Sequence, residues 1–226
     1  MHKTAIRVSE ILNLVAFALL LAANGAGAGE PGARAACLCT ADGPLYLVKD
    51  QDRIGFIRCD GKLVIPTHYD NGMFVTGNLA VVYDGQRAGF MDATSAWRIP
   101  PQFERAEEFS DDLAAVRKSR RWGYVDRNGK EVIPPRYDDA YSFAEGLARV
   151  MVRGERNGLG HLIHSEWGFI DRQGKLVIPA NFGWAASFAE GRAAVTSEKT
   201  RSRDGQLARQ GWGFIDKQAR NVGRSD

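Results

Sequence analysis

Histidine and aspartate are the side chains whose types and spacing in this sequence could support chemistry. His161 and His164 form an H-L-I-H pair, which could share a metal ion on a helical turn, but no third ligand is evident nearby. Asp126, Asp171 and Asp216 recur in equivalent settings, whereas hydrolysis by paired carboxylates needs two residues in different environments. No Walker loop, G-x-S-x-G or H-E-x-x-H motif occurs. We therefore expect no catalytic residue, metal or cofactor, and a protein that is not an enzyme.

The three aspartates belong to a segment that the chain repeats. It begins at Trp122 as W-G-Y-V-D-R-N-G-K-E-V-I-P-P-R-Y-D, returns at Trp167 as W-G-F-I-D-R-Q-G-K-L-V-I-P-A-N-F, and is cut short at Trp212 as W-G-F-I-D-K-Q. Weaker copies begin at Ile54 and Ala88. Because each unit of such a repeat needs its neighbours to bury its apolar side chains, the repeat predicts the architecture.

The spacing of one glycine defines the length of the unit. Gly55, Gly89 and Gly123 are 34 residues apart, and Gly168 and Gly213 follow at intervals of 45, which is the same unit with 11 residues inserted. A second motif, F-x-E-G-L-A-x-V or a variant of it, ends each unit. The predicted repeat domain, residues 45–222, comprises a terminal fragment at 45–48, units near 54–82, 88–116, 122–150 and 167–195, and a partial unit at 212–222.

Each unit is predicted to form short β-strands. Alternating glycine and apolar side chains in 123–126 indicate a half-buried strand, and Asn128-Gly129 favours a tight hairpin turn. Asp126 is interpreted as setting that turn through hydrogen bonds to nearby backbone. The return strand is expected to end at Pro134-Pro135 or to lie at the edge of a sheet, because proline cannot donate to a ladder.

The predicted fold is all-β and consists of tandem hairpins or meanders. Our first choice is an open, solenoid-like array in which units contact only their neighbours. The alternative is a closed, propeller-like ring of about five units, in which 45–48 would complete the partial unit at 212–222 and remove an exposed edge. Pairing between these two segments would decide for the ring.

The recurring W-G-F-I-D-x-x-G-K-x-V-I-P-P-x-Y-D and F-x-E-G-L-A-x-V strings resemble the WG-repeat family of bacterial proteins, also called KWG repeats. The resemblance covers about residues 45–222. The chain departs from it where Ile54 and Ala88 replace tryptophan and where Arg58 replaces aspartate. The resemblance implies an all-β, non-catalytic protein with a binding role, and it brings no catalytic residues.

The first 28 residues have the features of an export signal. Lys3 and Arg7 form a basic start, an apolar run follows at 11–23, and Ala26-Gly27-Ala28 offers a cleavage site. The apolar run is shorter than the roughly 20 residues of a membrane span, so no stable transmembrane span is expected after cleavage. The predicted segments are a signal peptide at 1–28, a linker at 29–44 and a tail at 223–226. We expect a periplasmic or secreted protein.

Charge is informative here through its placement rather than its total. The formal net charge is only +3, which gives no case for nucleic-acid binding. The two 11-residue insertions occupy the same connection in successive units, so they should project from one edge of the array as an insertion lip. The predicted partner-binding residues on this lip are Arg153, Arg156, His161, His164, Lys199, Arg201, Arg203 and Arg209. A protein or an anionic envelope component is the expected partner, and a solvated hairpin without a binding role is the alternative.

The tryptophans and glycines that recur once per unit are expected to be structural. Buried indoles supply large apolar area, and glycine allows close approach of backbone. These residues are Trp122, Gly123, Trp167, Gly168, Trp212 and Gly213. The alternative is that the recurring tryptophans form an exposed ladder that stacks on sugar rings or peptide side chains. Trp97 and Trp184 lie outside the ladder and are better candidates for exposed contacts.

The sequence thus predicts a non-catalytic, exported repeat protein that acts as a binding or scaffold module for a protein or cell-envelope partner. Two alternatives stay open. One is an envelope-associated hydrolase that uses the insertion loops as a pocket, and the other is a purely structural surface protein.

Overall fold

The computed structural model describes residues 45–58, 60–69, 71–76, 79–197 and 211–224. Throughout these ranges the chain forms β-strands joined by turns, and no helix of a length and hydropathy suited to crossing a membrane occurs in them. The predicted all-β fold is therefore confirmed. The strands are β1 Leu45–Asp50, β2 Arg53–Arg58, β3 Leu63–Tyr69, β4 Asn71–Thr76, β5 Leu79–Asp84, β6 Arg87–Asp92, β7 Trp97–Phe103, β8 Arg105–Ser110, β9 Leu113–Lys118, β10 Arg121–Val125, β11 Glu131–Tyr137, β12 Asp139–Ala140, β13 Ala148–Arg156, β14 Leu162–Ile170, β15 Leu176–Phe182, β16 Trp184–Ala185, β17 Arg192–Thr196, β18 Trp212–Asp216 and β19 Asn221–Arg224.

The strands form five antiparallel sheets, which we number 1 to 5 in chain order. Sheet 1 contains β1, β2 and β3, and each later sheet contains the next four strands in sequence. Every sheet is a meander, because each strand pairs with the strand that precedes or follows it in the chain. This is the tandem hairpin and meander architecture that the repeat predicts.

The sheets are out of phase with the sequence units. In sheet 3, β8 and β9 come from the motif that ends one unit, whereas β10 and β11 come from the W-G segment that begins the next. In sheet 1, β1 pairs with β2 as β9 pairs with β10, so the fragment at 45–48 occupies the place of the L-A-x-V strand. Each complete sequence unit therefore contributes strands to two sheets.

The core lies between consecutive sheets, which stack face to face. We call the face toward the preceding sheet the front and the face toward the following sheet the back. In sheet 3, Ala114 and Val116 on the front join the core shared with sheet 2, and Ala115 and Tyr124 on the back join the core shared with sheet 4. Equivalent cores join sheets 1 and 2 and sheets 4 and 5.

The central strands are consequently buried on both faces. The prediction of a half-buried strand at 123–126 is wrong, because 122–125 is buried at every position. A continuous apolar run is the pattern expected of a strand that is covered on both sides.

The fourth strand of sheets 2, 3 and 4 lies at the edge of its sheet and runs through one or two prolines. β11 continues past Pro134 and Pro135 to Tyr137, so the strand does not end at proline, and the edge position accommodates the missing donors. Trp122 pairs with Tyr137 and Tyr124 pairs with Ile133, so β11 bulges opposite the glycine between them.

Aspartate sets the turn between the W-G strand and its return strand, as predicted. Asp126 Oδ1 accepts hydrogen bonds from the backbone N–H groups of Asn128 and Lys130, both at 2.9 Å. Asp171 and Asp216 accept the same pair of bonds in sheets 4 and 5. Only Gly129 has a positive φ, of 80°, so the turn is wider than the two-residue turn that Asn-Gly favours.

A second turn, between the first two strands of a sheet, contacts the neighbouring sheet and has no counterpart in the sequence prediction. Asp111 and Glu145 each occupy the first position of a two-residue hairpin turn in which both residues have positive φ. The Asp111 carboxylate accepts from the Gly146 N–H at 2.9 Å, and the Glu145 carboxylate accepts from the Gly191 N–H at 3.0 Å. The acidic residue of the F-x-E-G motif therefore links sheet 3 to the turn of sheet 4 and sheet 4 to the turn of sheet 5.

The described strands form an open array. β1 pairs with β2, and β18 pairs with β17 and β19, so among the described residues no ladder joins 45–48 to 212–222. Closure through that pairing, which the ring alternative requires, is not observed in them.

Candidate functional site

The first insertion extends β13 and β14 into a hairpin. Asn157 closes it, because its Oδ1 accepts from the backbone N–H groups of Leu159 at 3.0 Å and His161 at 2.9 Å. At the base, Asp138 forms an ion pair with Arg121 and accepts a hydrogen bond from the Gly154 N–H at 2.7 Å. The hairpin is therefore fixed to sheet 3 as well as to its own sheet.

The cations on this hairpin have local partners. Arg153 pairs with Glu155, and Arg156 donates to the Gly160 carbonyl at 3.0 Å. His164 Nε2 lies 3.4 Å from Glu166 Oε1. The hairpin thus carries two arginines and two glutamates. When the histidines are counted as neutral, this half of the insertion lip has no excess of positive charge.

The remaining predicted lip residues lie outside the described residues. These are Lys199, Arg201, Arg203 and Arg209. His161 and His164 are placed on the first hairpin, and no group of three or more potential metal ligands occurs within the described ranges.

The recurring tryptophans lie on the back faces of the sheets. Trp122 and Trp167 are buried in the cores that join sheet 3 to 4 and sheet 4 to 5. Trp212 occupies the same position in sheet 5, is half-buried, and lies 5.2 Å from Trp184 between ring centroids. Trp97, the other tryptophan outside the ladder, packs edge-on against Tyr69.

The first strands of sheets 3, 4 and 5 carry residues that break the repeat. Arg105, Asp139 and Trp184 occupy the same register position in β8, β12 and β16. On the neighbouring strand, Arg149 stands where sheets 3 and 5 have alanine, at Ala115 and Ala194. Non-equivalent side chains at equivalent positions are what a specific site on a repeat scaffold requires.

Arg149 is held among aromatic rings at this edge. Its guanidinium carbon lies 3.5 Å from the ring centroid of Tyr141, 5.5 Å from Trp184 and 5.6 Å from Trp167. It also donates to the Ala185 carbonyl, which ties sheet 4 to sheet 5. Burial lowers the pKa of Arg149, while nearby Tyr141 and Asp139 act in the opposite direction. The distances fit cation–π contacts.

Two half-buried carboxyls accompany Arg149. Burial raises the pKa of Glu107, and the neighbouring Asp139 and Glu108 carboxylates raise it further. Burial also raises the pKa of Asp139, although the Ala140 N–H and Arg149 oppose the rise. We call Glu107, Asp139, Tyr141, Arg149 and Trp184 the first-strand cluster. Its partly covered negative charge favours a cationic group, and its rings offer flat apolar contact.

Two donors, one in the cluster and one beside it, have no acceptor among the described residues. Trp167 Nε1 and Arg149 Nε are buried, and no hydrogen-bond partner for either lies among the described residues. Buried donors are nearly always paired in folded proteins, so these two mark a place where an acceptor such as water is expected.

Of the first-strand cluster, the sequence prediction identified Trp184 alone. The five members come from three different units, and their spacing in sequence says nothing of their proximity. One signal was available, because the L-A-x-V motif changes from D-L-A-A-V to G-L-A-R-V at Arg149. An arginine inside an otherwise apolar strand motif indicates a position with a special partner.

The raised carboxyl pKa values predict a pH-dependent stability. The folded state holds protons on Glu107 and Asp139 above the pH at which the unfolded chain releases them, so stability falls as pH rises through that window. We expect Glu107→Gln to raise the melting temperature at about pH 8 and to lose that advantage at about pH 4, where the unfolded glutamate is itself largely protonated.

Thermal melts of the wild type and Glu107→Gln across this pH range test the prediction. Glu131→Gln is the matched control, because Glu131 is exposed on an edge strand. An equal melting-temperature difference for Glu107→Gln at both ends of the range would contradict the assignment.

Five stacked meander sheets formed from one recurring segment define a tandem β-repeat protein. The family model described as a WG containing repeat matches residues 89–120, 122–155 and 167–199. Three WG-family repeats therefore lie within residues 89–199, which confirms the predicted resemblance over that range. A search of curated proteins finds no significant match.

Several solved structures share weak similarity with the chain. Apo AztD from Citrobacter koseri is 13% identical with a TM-score of 0.34, over 82% of this chain and 55% of that one. A Bacteroides caccae protein of unknown function is 12% identical with a TM-score of 0.32, over 80% of this chain and 77% of that one. A eukaryotic initiation factor is 12% identical with a TM-score of 0.31, over 62% of this chain, which spans 40% of that structure's length.

Proposed function

We propose that this protein is an exported, non-catalytic binding module whose first-strand cluster recognises a basic segment of a protein partner. The observation that carries the proposal is the concentration of repeat-breaking side chains at one edge of sheets 3 to 5. The repeated tryptophans, glycines and aspartates serve packing or turns, whereas Glu107, Asp139, Arg149 and Trp184 differ from their counterparts in the other units and lie together.

The chemistry of the cluster supports a cationic ligand group. Two half-buried carboxyls carry a desolvation cost that a bound lysine or arginine would offset. The rings of Tyr141 and Trp184 already contact one guanidinium, that of Arg149, so they suit a second cation or an aliphatic stem beside it. An anionic partner is disfavoured by the same carboxyls.

The insertion lip contributes less to this proposal than the sequence suggested. Its described hairpin balances its own charges, because Arg153 and Arg156 are matched by Glu155 and Glu166, and Arg153 forms an ion pair with Glu155. Exposed ion pairs of this kind contribute little to stability, and they leave little net field for steering. Export rests on residues 1–28, which lie outside the described residues.

Capture from cell extracts tests the proposal. Immobilised wild-type protein is incubated with envelope and cytosolic extracts, and we expect a partner from the envelope fraction that elutes as salt rises. Trp184→Ala, and the double change Glu107→Gln with Asp139→Asn, should each reduce its capture by about tenfold or more, as loss of an interface anchor does.

The hairpin double variant Arg153→Ala with Arg156→Ala is the matched control, and it should capture the partner like the wild type. Loss of capture in this control, with retention in the Trp184 variant, would assign binding to the insertion lip instead. Capture of a polysaccharide rather than a protein, or of nothing at all, would contradict the proposal in favour of a polymer binder or a purely structural protein.

An envelope hydrolase is the second candidate, favoured by one observation. Glu107 and Asp139 are two interacting carboxyls with raised pKa values, a pattern that also occurs in catalytic acids. If the protein were such an enzyme, hydrolysis of envelope polymer by the purified protein would disappear in both Glu107→Gln and Asp139→Asn.

A further inference from the structure

Sheet 5 exposes the face that every preceding sheet buries. Phe214 occupies the position of Tyr124 and Phe169, which are 0% exposed, yet it is itself 41% exposed. In sheets 1 to 4 this back face packs against the next sheet of the chain. The described residues place no further sheet behind sheet 5, so an apolar face of the same design ends the array.

Sheet 1 exposes the opposite face. Tyr46 and Ile57 occupy the front-face positions of Ala148 and Ile170, both fully buried in sheet 4. Tyr46 is 50% exposed and Ile57 is partly exposed. The array therefore ends in a front face at one end and a back face at the other, the two kinds of surface that form each internal core.

The two end faces also differ from the internal ones in complementary ways. On the front of sheet 1, the large Tyr46 replaces a small alanine. On the back of sheet 5, Gly223 pairs with Phe214 where Ile133 pairs with Tyr124, and a Cβ at Gly223 would meet no atom within 4 Å. One face has added volume and the other has lost it.

Within the described sheets, the last of the acidic turn residues has no following turn to contact. Asp111 and Glu145 accept from the glycine N–H of the next turn, and Glu190 is the equivalent residue of the last turn. Glu190 is exposed, and no donor to its carboxylate lies among the described residues. The last turn thus presents an acceptor at the position that joins one sheet to the next.

We propose that the back face of sheet 5 binds the front face of sheet 1 of a second copy of this chain, so that copies associate head to tail. The contact continues an interface that the chain already forms four times within itself. It is heterologous, because each copy uses two different surfaces, and such contacts give open chains or larger rings rather than closed dimers. The proposal does not depend on the ligand of the first-strand cluster, although Trp184 of that cluster lies beside Trp212 on the back face of sheet 5.

Complementing variants test this association. The full chain is purified as the cell processes it, and its mass is measured by sedimentation velocity over a wide concentration range. Tyr46→Asp damages only the front end and Phe214→Asp only the back end. Leu159→Asp, on the exposed hairpin tip, is the matched control for placing a charge on an exposed apolar residue.

We expect the wild type and Leu159→Asp to grow beyond a dimer as concentration rises, and each end variant alone to stay monomeric. An equal mixture of the two end variants should give a complex of two chains and no larger species, because one intact front then meets one intact back. Circular dichroism establishes that each variant is folded, and the mixture supplies a second check, since a misfolded variant would not combine.

Three results would overturn the proposal. A wild type that is monomeric at every concentration would mean that its end faces meet each other or another part of the same chain. If Phe214→Asp still self-associates and Tyr46→Asp does not, the copies pair front to front. Failure of the two folded end variants to combine would exclude a head-to-tail contact.

Discussion

Replacing Gly123 with alanine is expected to destabilise the protein by about 3 kcal/mol, at the upper end of the usual cost of overpacking. A Cβ at this position would lie 2.4 Å from the Ile133 carbonyl oxygen and 2.7 Å from the Pro135 nitrogen. Both are backbone atoms of the paired edge strand, so no side-chain rotation relieves the overlap. The bulge at Pro134-Pro135 exists because the opposing residue has no side chain. Denaturant unfolding of Gly123→Ala measures the loss.

Gly213→Ala is the matched control in the same sequence motif. Its nearest backbone neighbour, the Gly223 carbonyl oxygen, would be 3.2 Å away, and the prolines that crowd Gly123 have no counterpart in β19. We expect a cost below about 1 kcal/mol, typical of a tolerated surface change. Equal losses for the two variants would show that strand conformation, rather than close approach, explains the glycine.

Replacing Phe169 with alanine is expected to cost about 4 kcal/mol, as deletion of a buried aromatic side chain usually does. Phe169 is fully buried on the back of sheet 4, and its ring lies 4.9 Å from that of Phe188 across the core shared with sheet 5. In a stacked array this interface supports mainly the sheet beyond it. Amide hydrogen exchange should therefore become faster in 184–196 and 211–224 while sheet 3 stays protected.

Phe214→Ala removes the equivalent side chain from the exposed back of sheet 5. Because Phe214 is 41% exposed and has no following sheet in the described array, we expect a loss of about 1 kcal/mol or less at dilute concentration. Exchange that accelerates evenly over all five sheets of Phe169→Ala would contradict a nearest-neighbour array.

The all-β fold was predictable because glycine, proline and aspartate recur at fixed spacing. Gly129 and Asp126 define a turn chemically, and Pro134 restricts its strand to an edge, so these residues specify local structure without help from the rest of the chain. Sequence similarity between units gives the length of the repeat, however, and does not show at which residue of the unit a sheet begins. The sheets therefore start at the F-x-E-G segment rather than at the W-G segment.

Burial and the first-strand cluster were less accessible from the sequence. The alternation of glycine with apolar residues around Tyr124 predicts a half-buried strand, yet the near-continuous apolar run there fits burial on both faces. Glu107, Asp139 and Arg149 come together because the stacking of sheets aligns the first strands of successive units. That alignment depends on how sheets pack, which no spacing within one unit specifies. The insertion lip, by contrast, is evident in the sequence because two units are 11 residues longer than the others. Which of its charged side chains pair with each other is not evident there.

The phase difference between units and sheets has a consequence for the order in which the chain can be built. A sheet is complete only when the W-G half of the next unit has been synthesised. Until then, the growing chain ends in the first two strands of that sheet, and the third and fourth strands are still missing. Those strands can pair at once with the segment that follows, because every ladder joins adjacent strands. Each finished sheet then offers its back face as a ready surface for the next. Assembly can proceed from the first sheet to the last with short loop closures, a topology that favours fast folding.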